Sequence, residues 1–76
     1  MSRARLHLTF PPDLISEPVL HRVATGFDLV TNIRRANLEE DQGGWVILEV
    51  QGSEEAIARA VGWLAEQGLQ VDRILD

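Results

Sequence analysis

The sequence contains no cysteine among its 76 residues. Without thiols, the chain has no ligands for an iron–sulfur cluster, no thiol nucleophile, no Cys-x-x-Cys metal site and no disulfide. A chain of this length buries only roughly 60% of its unfolded surface on folding, so its stability is marginal. Because no disulfide or evident structural metal adds to that stability, packing or self-association has to supply it.

Basic residues and long apolar runs are also scarce. Seven Lys+Arg stand against twelve Asp+Glu, which gives a formal net charge of −5. Nucleic-acid affinity depends largely on basic side chains that neutralise phosphates, so we expect no nucleic-acid partner. No apolar run approaches the ~20 residues of a membrane span, and the N-terminus lacks the apolar segment of a signal peptide. We therefore expect one soluble, cytoplasmic domain over residues 1–76.

Four segments show the properties of β-strands. The first alternates with period two, with one apolar and one polar face: Leu6, Leu8 and Phe10 alternate with Arg5, His7 and Thr9. Residues 29–38 are β-prone but alternate less regularly, as in an edge strand with a bulge. Residues 45–50 form the most continuously apolar run, which is typical of a central strand. A polar hairpin connection over residues 39–44 precedes that run, and the last strand is predicted from about 70 to 75.

Two amphipathic helices separate these strands. Ser16 is the predicted N-cap of the first helix and Gly26 its left-handed C-terminal residue. Ser53 is the predicted N-cap of the second helix, which Gly68 ends. Each helix has one apolar stripe at helical spacing: Val19, Leu20, Val23, Ala24 and Phe27 in the first, and Ile57, Ala60, Val61 and Leu64 in the second.

The resulting order, β-α-β-β-α-β, predicts an α+β, ferredoxin-like (split βαβ) fold with two helices on one face of a four-stranded antiparallel sheet. Right-handed crossovers place the first and third strands in the centre of the sheet and the second and fourth at its edges. This position agrees with the apolar character of the third strand.

The open face of this sheet contains the first candidate surface. Trp45 and Ile47 share one side of the third strand, beside His7 of the first, whereas the alternate, all-aliphatic positions suit the helix-covered side. Two interpretations stand side by side. Trp45 is either partly covered by its neighbours or belongs to a self-association surface or ligand floor.

The remaining polar residues give little indication of catalysis. His7 and His21 have no second metal ligand at a suitable spacing, and no serine lies in a nucleophile motif. We therefore expect no enzyme activity, no metal site and no cofactor. Asn32 is different, because an amide within a β-prone run can bind the amino or carboxylate group of a small ligand, although it can equally bond the backbone of a bulge.

Taken together, the chain resembles the NIL domain, which is named for an Asn-Ile-Leu motif in its second strand. The matching residues here are Asn32-Ile33-Arg34, with Arg34 in the place of leucine. Further matching segments lie along the whole chain: Leu6/Leu8/Phe10, Pro18-Val19-Leu20, Gly43-Gly44, Ala60-Val61-Gly62-Trp63-Leu64 and Gly68-Leu69-Gln70-Val71.

The resemblance implies a function. NIL domains typically lie at the carboxyl end of the ATPase subunit of methionine ABC importers, where they resemble ACT domains by binding methionine at a dimer interface and inhibiting transport. Others are fused to iron–sulfur modules. We therefore expect a regulatory module, stand-alone or excised from a longer protein, that binds methionine or a similar amino acid as a homodimer and partners a transporter or an iron–sulfur protein. Asn32, with its neighbours Thr31 and Ile33, is the candidate ligand contact.

A second hypothesis comes from a different functional class. The domain would dock onto another protein through its open sheet face, with no small ligand. Trp45, Ile47 and His7 are the candidate interface residues for this function and for self-association.

Overall fold

The computed structural model describes residues 1–14 and 18–74, and within them the chain follows the order predicted from its periodicity. A short 3-10 turn at Pro12–Leu14 follows the first strand. The strands and helices are β1 (Ser2–Phe10), α1 (Val19–Gly26), β2 (Val30–Glu39), β3 (Gly43–Gly52), α2 (Glu54–Glu66) and β4 (Gln70–Ile74). No helix among the described residues is long and apolar enough to cross a membrane.

The four strands form one antiparallel sheet in the order β2-β3-β1-β4. This arrangement confirms the ferredoxin-like fold, with β1 and β3 in the centre. These two strands pair without interruption, from Ser2 opposite Gly52 to Phe10 opposite Gly44. Each edge strand pairs with one of the two central strands, β2 with β3 and β4 with β1.

The hydrophobic core lies between the sheet and the two helices. Alternate residues of β1 and β3 are buried against the apolar stripes of α1 and α2, as the two periodicities predicted. The fully buried large side chains are Leu6, Leu8, Leu48, Ile57, Leu64, Val23, Val46 and Val50. Both helices consequently cover the same side of the sheet, and we call the other side the open face.

Helix α2 begins and ends as its sequence indicated. The Ser53 Oγ accepts a hydrogen bond from the Ala56 amide at 3.0 Å, which caps the first turn. At the other end, Gly68 adopts a left-handed conformation (φ 101°) and its amide donates to the Ala65 carbonyl. The amide of Leu69 donates to the Leu64 carbonyl, and Leu69 itself is buried. These bonds form a Schellman motif, in which a left-handed glycine lets the chain turn back into β4.

Helix α1 ends differently from the prediction. Gly26 is its last helical residue, and the left-handed conformation occurs at Asp28 (φ 56°) instead. A short polar side chain tolerates this conformation, so the turn did not need glycine. The intervening Phe27 packs its ring 5.8 Å from that of Trp63 in α2, which ties the two helices together. The predicted N-cap, Ser16, lies outside the described residues.

Strand β2 has the edge position and the bulge that its irregular alternation indicated. Its pairing with β3 shifts register between Ile33 and Arg35, so Arg34 is the extra residue. The strand runs over Val30–Glu39, one residue later than predicted. The last strand, β4, covers Gln70–Ile74. Residue 75, the end of its predicted range, lies outside the described residues.

Two glycines make the β2–β3 hairpin possible. Gly43 and Gly44 both have positive φ (81° and 152°). A Cβ atom on Gly44 would overlap the carbonyl oxygen of Asn37 on the neighbouring strand. The backbones approach too closely there for any side chain.

Replacing Gly44 with alanine should therefore destabilise the protein by about 1–3 kcal/mol, through backbone strain and the displaced Asn37 carbonyl. Gly62, in the middle of α2, is the matched control because a Cβ atom there would meet nothing within 4 Å. Gly62→Ala should stabilise the helix by about 0.5–1 kcal/mol. Urea unfolding of both variants measures the two changes, and equal effects would contradict the assigned hairpin geometry.

An ion pair joins the start of α2 to the edge strand β4. The Arg73 Nη2 lies 3.1 Å from the Glu54 Oε1. The hydrogen bond from Arg73, together with its positive charge, holds the pKa of Glu54 below its ordinary value. Because the folded state lowers this pKa, the pair's contribution is present above the unfolded-state pKa and is lost as the pH falls through the folded one.

Arg73→Gln should therefore raise the pKa of Glu54 towards that of an isolated glutamate. Arg59→Gln serves as the control, because Arg59 pairs with Glu55 in the same helix, at 2.9 Å. An NMR titration measures the pKa of the Glu54 side chain in both variants, and this pKa should change only in Arg73→Gln. A Glu54 pKa that does not move in Arg73→Gln would show that the pair does not form in solution.

Candidate functional site

The open face is assembled from all four strands by cross-strand pairing. Residues directly opposite one another in an antiparallel sheet point to the same side, so the register fixes the rows of side chains. Starting from the edge strand β2, the rows are Asn37–Trp45–Thr9–Gln70, Arg35–Ile47–His7–Asp72, Asn32–Glu49–Arg5–Ile74 and Val30–Gln51–Arg3. The face thus combines apolar, amide and charged groups within a small area.

The three predicted interface residues come together at the centre of this face. His7 lies opposite Ile47, and its ring stacks on that of Trp45 with centroids 5.8 Å apart and an angle of 18° between the planes. All three side chains are half-buried. Trp45 is thus partly covered by its neighbours and still presents apolar surface on the open face. Its role in an interface stays a prediction.

A charged cluster occupies the next row. The Glu49 carboxylate lies 3.6 Å from the Nε of Arg5 and 4.0 Å from the Nε of Arg3. Only 18% of the Glu49 side chain is exposed, so this carboxylate is set into the sheet face between two guanidinium groups. This cluster was not predicted from the sequence, because the cross-strand register that joins Arg5 to Glu49 is not visible in either strand alone.

Asn32 lies directly opposite Glu49, at the edge of the same row. Its side chain is exposed, and it makes no hydrogen bond to any described residue. Its carbonyl and NH2 groups are thus both available to a ligand, next to a carboxylate that is itself paired with arginines. A ligand contact at Asn32 stays a prediction.

Thr31 and Ile33 do not share this position. They lie opposite Val50 and Leu48, whose side chains point into the core, so both residues point to the helix-covered side. The reason is the period of two along a strand, which sends the neighbours of Asn32 to the other face. Of the predicted trio, the structure brings only Asn32 to the open face; Thr31 and Ile33 can approach a ligand there through their backbone.

The family model of the NIL domain matches residues 4–73. The segment that resembles the family's naming motif, Asn32-Ile33-Arg34, lies within this range, in β2. The chain belongs to the NIL domain family. Within the described parts of this NIL domain, no group of three or more His, Asp or Glu side chains is arranged to hold a metal ion.

Comparison with solved structures supports the fold. The C-terminal domain of an ABC transporter ATP-binding protein from Enterococcus faecalis is similar, with a TM-score of 0.81 and 16% sequence identity. The match covers 93% of this NIL domain and 82% of that chain. A search of curated proteins gave no match.

Proposed function

We propose that this NIL domain is a non-catalytic regulatory module that binds methionine, or a similar amino acid with an apolar side chain, between two copies of itself. The family supports a regulatory role. The structural likeness to a C-terminal domain of a transporter ATP-binding protein supports an ABC transporter as the regulated partner. An iron–sulfur protein is the other partner class that the family implies.

One observation carries the ligand part of the proposal: the exposed Asn32 amide lies in the same row as Glu49 and Arg5. An amino acid carries an ammonium and a carboxylate on one carbon. The Asn32 carbonyl and the Glu49 carboxylate can accept from the ammonium, while the Asn32 NH2 and Arg5 can donate to the carboxylate. Residues opposite one another lie about 5 Å apart, which suits a group of this size.

The neighbouring rows supply the apolar part of the site. Ile47 lies one row away from Glu49, and Trp45 lies one row further along the same strand. A thioether chain packs well against aliphatic and aromatic surfaces, since sulfur makes favourable contacts with aromatic rings. An extended amino acid can therefore place its polar end at Asn32 and its side chain towards Ile47.

A second copy is needed because a sheet face contacts only one side of a ligand. Small-molecule sites usually bury 70–90% of the ligand surface, which a single sheet face does not do. A second subunit can provide the opposite wall. Regulation then requires that the ligand bind one arrangement of the two copies more tightly than another.

Asn32→Ala should weaken methionine binding at least tenfold, because it removes hydrogen bonds to charged groups worth about 1.5–3 kcal/mol. Thr31→Ala is the matched control, since Thr31 is the adjacent residue on the opposite face, and it should leave the affinity unchanged. Isothermal titration calorimetry with methionine and a panel of other amino acids measures both.

Thermal unfolding provides an independent readout, because a ligand that binds only the folded state stabilises it by RT ln(1 + [L]/Kd). If the native dimer shows neither heat nor a thermal shift at millimolar amino acid, it has no amino-acid site. Equal losses in Asn32→Ala and Thr31→Ala would place the site away from the open face.

A second candidate function rests on the stack of Trp45 and His7 beside Ile47, which presents half-buried apolar surface at the centre of the open face. In this alternative the face docks directly onto a protein and binds no amino acid. Aromatic residues at the centre of a patch are typical anchors of such interfaces.

Trp45→Ala should then lower association with the partner or with a second copy at least tenfold, because it removes the central aromatic anchor. Trp63→Phe, on the helical side, is the control. Sedimentation velocity measures self-association of both variants. Unchanged association of Trp45→Ala, together with amino-acid binding by the native chain, would rule out this alternative.

A further inference from the structure

Beyond the proposed methionine contacts, the open face continues into the row Asn37–Trp45–Thr9–Gln70, which we call the Trp45 row. Alternate residues of a strand lie about 7 Å apart, so the Trp45 row is about 14 Å from the row of Glu49. The α-carbon and the terminal methyl group of methionine are separated by four bonds, which span roughly 5 Å in an extended chain. A methionine held by Glu49 therefore ends at the intervening row and does not reach the Trp45 row.

Trp45 gives this row an aromatic surface. Its ring centroid lies 5.8 Å from that of His7, and the two ring planes are only 18° apart. The Trp45 side chain is half-buried, so part of its ring stays accessible to a ligand. Nucleobases stack on such rings, because every base has the π-face that stacking requires. The row therefore suits a planar base better than a second aliphatic chain.

The side-chain amide of Asn37 selects among bases. Asn37 lies directly opposite Trp45, is exposed, and makes no side-chain hydrogen bond to any described residue. An asparagine amide has a donor and an acceptor side by side, which pair with the amino group of adenine and the ring nitrogen beside it. Guanine presents two acceptors at the same edge and does not match. A base that stacks on Trp45 with this edge towards Asn37 is therefore adenine.

Thr9 and Gln70 lie on the other side of Trp45, where a sugar attached to the base would be placed. The Gln70 Nε2 donates to the Asp72 Oδ2 at 3.2 Å, which leaves the Gln70 carbonyl oxygen to accept a hydrogen bond. The Thr9 hydroxyl both donates and accepts, so the two side chains match the hydroxyl groups of a ribose. No residue of the Trp45 row is basic, and the row therefore suits an uncharged nucleoside rather than the phosphates of a nucleotide.

The intervening row contains Ile47 and His7 at its centre, with Arg35 and Asp72 at its edges. A sulfur atom packs well against aliphatic and aromatic side chains. The charges of Arg35 and Asp72 are opposite, so the row admits either a neutral thioether or a positively charged sulfonium. A ligand that joins an amino acid to adenosine through sulfur thus has complementary groups in all three rows.

We propose that the open face binds an amino acid that carries adenosine on its side-chain sulfur, the chemistry shared by S-adenosylhomocysteine and S-adenosylmethionine. The amino-acid end lies at Asn32 and Glu49, the sulfur at Ile47, and the adenine on Trp45 with its edge towards Asn37. This inference rests on the proposed function, because it keeps the same contacts for the ammonium and carboxylate groups. It extends that function, since the module then responds to an adenosylated amino acid more strongly than to methionine.

Isothermal titration calorimetry of the full chain compares methionine, the two adenosyl compounds and S-inosylhomocysteine. At least one adenosyl compound should bind about tenfold more tightly than methionine, or more, because the base adds stacking on Trp45. The tighter of the two shows whether the site takes the neutral or the charged sulfur. S-inosylhomocysteine has an oxygen in place of the adenine amino group and presents two acceptors to Asn37, so it should bind at least about fivefold more weakly than S-adenosylhomocysteine.

Asn37→Ala should abolish the preference for the adenosyl over the inosyl compound and leave the Kd of methionine within about twofold of native, since Asn37 lies two rows from the amino-acid end. Gln51→Ala is the matched control. Gln51 is also an amide on the open face, but it lies on the far side of the Glu49 row from Trp45. This variant should keep the adenosyl preference of the native chain.

NMR spectra of the native chain locate the base directly. S-adenosylhomocysteine should shift the indole N–H signal of Trp45 and the side-chain amide signal of Asn37, whereas methionine should shift the Asn32 amide and leave the Asn37 amide in place.

Three results would contradict the proposal in different ways. Methionine binding that is as tight as that of both adenosyl compounds would overturn this inference and leave the proposed function intact. Tighter adenosyl binding that Asn37→Ala does not change would place the base away from the Trp45 row and overturn the assigned site. Absence of binding by methionine and by both adenosyl compounds would overturn the inference and the proposed function together.

Discussion

The fold depends on the antiparallel pairing of β1 with β3. Nine cross-strand pairs from Ser2–Gly52 to Phe10–Gly44 join the two central strands, whose alternate residues form the floor of the core. Burial of these aliphatic side chains under α1 and α2 is the main favourable term for so small a chain. Everything else in the molecule is positioned by that register, including the side chains that the helices do not cover.

The same constraint creates the candidate site. Because both helices lie on one side, the residues between the core positions of β1 and β3 must form an uncovered surface. Glu49 with its two arginines, and Trp45 stacked on His7, are therefore consequences of the pairing that also buries Leu48 and Leu6. The edge strand β2 adds the Asn32 amide to this surface.

The fold of this domain is kept at low sequence identity. A NIL domain that shares only 16% identity with the Enterococcus faecalis domain still superposes with a TM-score of 0.81. The fold therefore tolerates extensive change of sequence. Arg34, in the place of the leucine of the family motif, lies at the bulge of β2, where an exposed polar side chain is accommodated.

Local sequence by itself determined the strands, the second helix, its Ser53 cap and its Gly68 end. Each of these features depends only on residues that lie close to one another along the chain. It also separated Trp45 and Ile47 from the core residues of β3 through period-two alternation. It failed at Gly26, because the turn after α1 depends on where Phe27 packs against Trp63. Only the tertiary structure decided that Asn32 lies on the open face, that Glu49 meets Arg5, and where β2 resumes its alternation after Arg34. These features depend on cross-strand register, which hydrogen bonds between distant segments set and no single segment encodes.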